Sequence, residues 1–251
     1  MSESEETVAN PEEQKSAGMP LFYENPVPIS FERHGKKHLA RRVDARFAAK
    51  SNAIPINLSE FAQISRHYPI AFVAAAVPFP VAVVGMRNGE NLFVDKKGEW
   101  AKNVYVPAYV RRYPFILSTT PGSDVLTLCV DEADGVLSDK DGLNFFEEDG
   151  TPSDHAKAAL DFCRAYHGAV GPTQDFVKAL SEKGLLIERQ ANVAKKDGQN
   201  FNLTGFHVVD AEKAQRLSKD ELGEWWGKGW LQAITAHQIS MLNWGDLAER
   251  V

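Results

Sequence analysis

The chain has 251 residues, 43% of them hydrophobic and 25% charged, and a formal net charge of −6. These are globular values, and they exclude a mostly disordered, collagen-like or membrane-embedded chain. The acidic balance also argues against nonspecific nucleic-acid binding, which draws on a basic surface.

Residues 1–18 carry Glu3, Glu5, Glu6, Glu12 and Glu13 against Lys15 and offer almost nothing to bury. A disordered acidic tail is expected there, followed by one α+β domain over 19–251. The tail has no apolar h-region, and no run of about 18 apolar residues follows, so neither a secretory signal peptide nor a membrane span is expected. The expected compartment is the cytoplasm. A basic stretch comes next: Arg33, Lys36, Lys37, Arg41, Arg42, Arg46 and Lys50. It reads as a solvated face, partly neutralised by Glu32, Asp44 and the acidic tail.

Ser59 is placed to cap a short helix that Pro69 stops. IAFVAAAV and VAVVGM are apolar runs of strand length. Asn88-Gly89 tolerates positive φ, so VAVVGM-RNGE-NLFVD is expected to close as an antiparallel hairpin. Lys97-Gly98 predicts a turn before Trp100. FILSTT and VLTLCVDE read as two strands joined by a Pro121-Gly122 turn. Acidic, Gly-punctuated loops follow Asp131. Asp139 and Asp141 suggest a calcium loop, but Gly142 comes too soon for that pattern.

Ser153 is expected to cap a helix through about Tyr166, and Thr173 to start a second, with Phe176, Val177 and Leu180 as its apolar stripe. A second hairpin is expected about Asp197-Gly198. Asp210 and Ser218 each begin a helical pattern, and Ser218 with Glu221 fits a capping box. The last helix is expected to break or kink near Gly227 and Gly229. The architecture implied is α+β: an antiparallel sheet built from hairpins, packed against C-terminal helices as a single compact domain.

Dinucleotide, phosphate-loop, hydrolase and zinc-protease motifs are absent from the sequence. Cys129 and Cys163 sit in apolar contexts and read as buried free thiols. No close metal-ligand spacing occurs, so neither a metal nor a cofactor is expected. The densest chemistry is Trp100 to Phe115, which holds Trp100, Tyr105, Tyr109, Arg111, Arg112, Tyr113 and Phe115. Arginine among aromatics suits an anionic small molecule, a carboxylate or a protein partner's anchor. The alternative is that these rings are core and the arginines pair with nearby acids. Adjacent residues do not share a helix face, so only one of the two arginines can follow the aromatics inward. That arginine should meet either Asp131 or Glu132, or an anionic ligand. Asp131, His207 and His237 are weaker candidates. His237 reads as a buried, hydrogen-bonded histidine. Trp225, Trp226 and Trp230 read equally as a partner patch or as helix packing.

The runs YPIAFV, VAVVGM, NLFVD with Trp100, YVPAYVRRYPF and LCVDE, then FFEEDG, TQDFVKAL, LTGFHVVD and LQAITAHQISMLN, together resemble the SapC family over roughly residues 20 to 245. The resemblance implies a link to bacterial surface layers and brings no assigned reaction or catalytic residue. It implies a non-catalytic binding or accessory protein for cell-envelope processes or for a partner modifying enzyme. The alternative is an enzyme of unrecognised type, metal- or oxygen-dependent, acting with the halogenase-like or cupin-like proteins encoded near such relatives. That alternative requires groups such as His207, His237, Arg111 and Asp131 to converge.

Overall fold

The computed structural model describes residues 4–8, 19–41, 44–119, 125–194 and 200–251. Residue contacts divide the stretch read as one domain into two compact units. The first is built from Ala45–Ala108, Ala169–Val251 and the described N-terminal residues; the second takes the described part of Lys15–Asp44 with Tyr109–Gly168. The class is α+β, with sheets that are antiparallel except for one strand pair.

In the first unit, strands Ile70–Val73 and Pro80–Val83 are buried at every position. Each lies between two neighbours, so a continuous apolar run suits both faces better than an alternating one. Pro80–Val83 pairs with Ile70–Val73 and with Ala53–Pro55, and Ile70–Val73 pairs with Asn200–Val209. Leu186–Ala194 closes an antiparallel hairpin with Asn200–Val209, as expected; its Asp197-Gly198 turn lies outside the described residues. Aromatic rings bind helices to this sheet. Phe176 of helix Asp154–Glu182 lies 6.5 Å from Phe72 of strand Ile70–Val73 between ring centroids, and 5.9 Å and 6.0 Å from the helix residues Phe61 and Trp230.

Several local expectations are corrected. Strand Ser4–Thr7 pairs in parallel with Phe201–Thr204, and Val8 is 2% exposed, so the expected disordered tail does not hold for residues 4–8. Gly205, at φ +75°, makes room for this strand: a Cβ there would lie 2.4 Å from Thr7 Cγ2. The remainder of 1–18 is outside the described residues.

The helical segment expected to start at Ser59 is capped by Asn57 instead. Asn57 and Glu60 form a reciprocal capping box one turn earlier, and the α-helix itself is only Phe61–Ile64. The two helices expected from Ser153 and Thr173 are one, Asp154–Glu182. Ser153 does cap it, accepting from the Ala156 N–H at 3.2 Å. Pro172 removes one helical bond, and Thr173 anchors the weakened turn. Its hydroxyl donates to the Ala169 carbonyl at 2.7 Å and accepts from the Leu58 N–H at 2.9 Å. The expected final helix is two, Trp230–Ser240 and Asn243–Arg250, with Gly229 at φ +73° starting the first.

The Asn88-Gly89 turn forms, with Gly89 at φ +74°, but NLFVD is not its second strand. Both edges of Pro80–Val83 are already paired, and the return is held instead by Leu92 N–H donating to the Val84 carbonyl at 2.8 Å. No atom lies within 4 Å of a Cβ built on Gly89. Gly89→Val therefore carries only the left-handed backbone penalty and should cost about 1–2 kcal/mol in a urea titration.

In the second unit, Leu126–Asp131 lies between Phe115–Thr119 and Pro26–Pro28. A small sheet places His38–Leu39 between Leu137–Ser138 and Leu143–Asn144. Leu39, Phe115, Val130, Val136, Phe145 and Cys163 form the core. Among the described residues, three members of the basic stretch pair with acids of the Asp131–Asp141 region. Arg33 pairs with Glu132, Lys37 with Asp139 at 2.7 Å and Arg41 with Asp141 at 3.6 Å. Arg33 holds the Glu132 carboxyl below the usual carboxylate range.

Candidate functional site

The segment from Trp100 to Phe115 contributes to both units. It crosses from the first unit to the second between Ala108 and Tyr109. In the first unit, Trp100 Nε1 donates to the Tyr68 hydroxyl at 2.9 Å, and that hydroxyl donates to the Tyr105 carbonyl at 2.6 Å. Tyr105 Oη donates at 3.0 Å to Glu60, which also accepts from the Ala108 N–H at 2.7 Å. Glu60 is 6% exposed, so these donors satisfy a carboxylate removed from water. Trp100 and Tyr105 thus serve a buried structural network.

In the second unit the two arginines diverge, as adjacent side chains must. Arg111 is exposed and lies over the Phe162 ring, 5.1 Å from its centroid. Arg112 is half-buried and lies over three tyrosine rings, 4.0 Å from Tyr109, 4.6 Å from Tyr166 and 5.5 Å from Tyr23. Its spacing of three from Tyr109 places the two side chains on neighbouring rows. Tyr109 and Tyr166 meet edge to face at 6.0 Å, and Tyr23 and Tyr113 tilt together at 5.4 Å.

The acids expected for the inward arginine are taken by other donors. Asp131 is fully buried and accepts from the Asn25 N–H at 2.6 Å, the Glu24 N–H at 3.2 Å and the Tyr113 hydroxyl at 2.9 Å. Glu132 is held by Arg33 and lies 3.3 Å from His34 Nε2. Among the described residues Arg112 has no carboxylate within ion-pair distance, and its Nε has no hydrogen-bond partner. The surroundings stay neutral beside it. Burial pushes the Tyr23 and Tyr109 hydroxyls up, with Arg112 opposing, and pushes the Cys163 thiol up to about 11. Both cysteines are free and buried, as expected. Phe115 is core, 6.2 Å edge-on to Phe145, and its carbonyl accepts from the Tyr23 hydroxyl at 2.6 Å.

Phe22 stands beside the tyrosines at φ +77°, its ring 5.7 Å from Tyr109. A bulky side chain in the left-handed region is strained. Tyr23, Tyr166 and Phe22 were not sequence candidates. They come from separate segments, and no spacing links them to Arg112.

His207 and His237 belong to the first unit, Asp131 and Arg111 to the second. His237 Nε2 accepts from the Val209 N–H at 3.0 Å, and its ring packs 5.5 Å from Phe72. His207 sits in strand Asn200–Val209 opposite Phe72. Among the described residues no group of three or more His, Cys, Asp or Glu side chains is placed to hold a metal ion, and no helix is long and apolar enough to cross a membrane. Of the tryptophans, Trp225 and Trp230 pack edge to face at 5.3 Å, while Trp226 is 65% exposed.

These observations define a mixed α+β protein in which Arg112 lies among three tyrosines, with no carboxylate within ion-pair distance among the described residues. The family model for SapC matches residues 29–247, and the chain belongs to the SapC family. Neither the comparison with curated proteins nor that with solved structures yields a match.

Proposed function

We propose that this SapC-family protein is a non-catalytic binding or accessory protein, acting in cell-envelope or surface-layer processes or for a partner modifying enzyme. Its recognition site is the Arg112 cage, which receives an anionic group of a small molecule or protein partner. One observation carries this reading: a half-buried guanidinium over three aromatic rings with no carboxylate partner among the described residues. Taking a cation out of water without a counterion is costly, and an arriving anion removes that cost.

Arg112→Met tests it. No acid is orphaned by the change, so the loss of stability should stay within about 1–2 kcal/mol, the worth of the cation–π contacts. Binding of anions should be abolished, read as loss of the concentration-dependent rise in Tm that a ligand of the native state produces. A loss of about 4 kcal/mol with anion binding intact would make Arg112 a structural cation and overturn the reading.

A further inference from the structure

We infer that the Arg112 cage selects a planar carboxylate carried on an apolar body, and discriminates against tetrahedral anions such as phosphate and sulfate. The inference rests on the reading of Arg112 as an anion site and adds the class of anion.

Arg112 is the cation acting on Tyr23, Tyr109 and Cys163, and those three groups remain neutral around it. One positive charge balances one carboxylate. A phosphate dianion there would leave net negative charge among aromatic rings, away from bulk water.

Nε of Arg112 is buried without an acceptor, while the guanidinium hydrogen-bonds to the Tyr23 and Tyr109 hydroxyls. The Nε–H is the donor left over, and with the Nη beside it forms the edge that a planar carboxylate matches with both oxygens. The Tyr23 and Tyr109 hydroxyls add no donors, because each tyrosine has one proton to give. Tyr23 gives its proton to the Phe115 carbonyl and Tyr109 to the Leu21 carbonyl at 3.2 Å. Their lone pairs face Arg112, which hydrogen-bonds to both, so neither hydroxyl has a proton for an incoming anion. The third and fourth oxygens of a tetrahedral anion therefore find no donor from either.

One side of the cage is an aromatic wall. The Tyr23, Tyr109 and Tyr166 rings offer apolar area beside the charge, and the strained Phe22 packs behind Tyr109. Such a wall rewards an apolar substituent on the acid and gives nothing to a small hydrated ion.

The test uses the full-length protein and its Tm at constant ionic strength, titrated with sodium benzoate, acetate, phosphate and sulfate. Benzoate is expected to raise Tm saturably and to bind at least tenfold more tightly than acetate. Phosphate and sulfate should match a chloride control. Arg112→Met should abolish the benzoate effect, and Arg112→Lys, which keeps the charge but loses the fork, should weaken it tenfold or more. Should Arg112→Met not fold, the lysine variant carries the comparison alone.

An Arg112-dependent rise with phosphate or sulfate equal to that with benzoate would overturn carboxylate selection while leaving the anion site standing. No Arg112-dependent rise with any of the four would overturn both. The source of the carboxylate is read from a hydrophobic peptide with a free C-terminus against the same peptide amidated. If the free acid binds more tightly than benzoate and the amide does not bind, the source is a protein chain end. If benzoate binds more tightly than either peptide, it is a small organic acid.

Discussion

Asp131→Ala is expected to destabilise the protein by about 3–5 kcal/mol, because it removes an acceptor from several buried donors at once. The carboxylate is fully buried and receives the Asn25 N–H, the Glu24 N–H and the Tyr113 hydroxyl. Truncation strands those groups in a space too dry to solvate them. The measurement is a urea unfolding curve, with a lowered midpoint and an unchanged slope. Asp131→Asn keeps the shape and one acceptor oxygen, so its cost should fall between that of alanine and zero. A midpoint unchanged by Asp131→Ala would mean that the Glu24–Asn25 turn finds other acceptors readily. In that case the carboxylate does not organise this unit.

Stability should also fall on acidification through a window set by His237. Burial lowers its pKa from 6.5 to about 4, with a backbone contact at Ile70 opposing. The unfolded chain takes up the proton near pH 6.5, whereas the folded chain refuses it until about pH 4. Between those values the unfolded state holds more protons, so stability rises with pH. The contribution is complete above the unfolded value and is lost as pH falls to the folded one. Each pH unit between the two values is worth about 1.36 kcal/mol, which brings the contribution to roughly 3 kcal/mol. The structural reason is visible: Nε2 accepts the Val209 N–H, and protonation would turn that acceptor into a second donor. His237→Gln retains an acceptor and does not titrate. Unfolding free energies of the variant across pH 4–6.5 should therefore follow a shallower slope than wild type, by up to about one proton. Parallel slopes would show that His237 titrates normally.

The parts of the fold that were legible in the sequence are those encoded by neighbours. Ile70–Val73 and Pro80–Val83 announce themselves as unbroken apolar runs, and Asp210 and Ser218 cap the helices expected of them. The hairpin of Leu186–Ala194 with Asn200–Val209 follows from its turn residues. What misled was chemistry completed at a distance. Pro172 reads as a break until Leu58 is seen to donate to Thr173. Acidic residues 4–8 read as solvated until Asn200–Val209 offers them an edge. The divergence of Arg111 and Arg112 was legible from helix geometry. The partner of Arg112 was not, since Tyr23 and Tyr166 reach it from segments whose own sequences carry no mark of it.

The interleaving of the two units sets an order of assembly during synthesis. The unit that ends at Gly168 has every segment on hand while the rest of the chain is still unmade. The other unit must wait, because its sheet needs Asn200–Val209 and its packing needs Trp230–Ser240. Strand Ser4–Thr7 leaves the ribosome well before its partner, Asn200–Val209. Pairings so far apart in the chain are slow to form, and apolar strands such as Ile70–Val73 stand exposed meanwhile. Until Asn200–Val209 is made, Ile70–Val73 has one of its two pairing edges open.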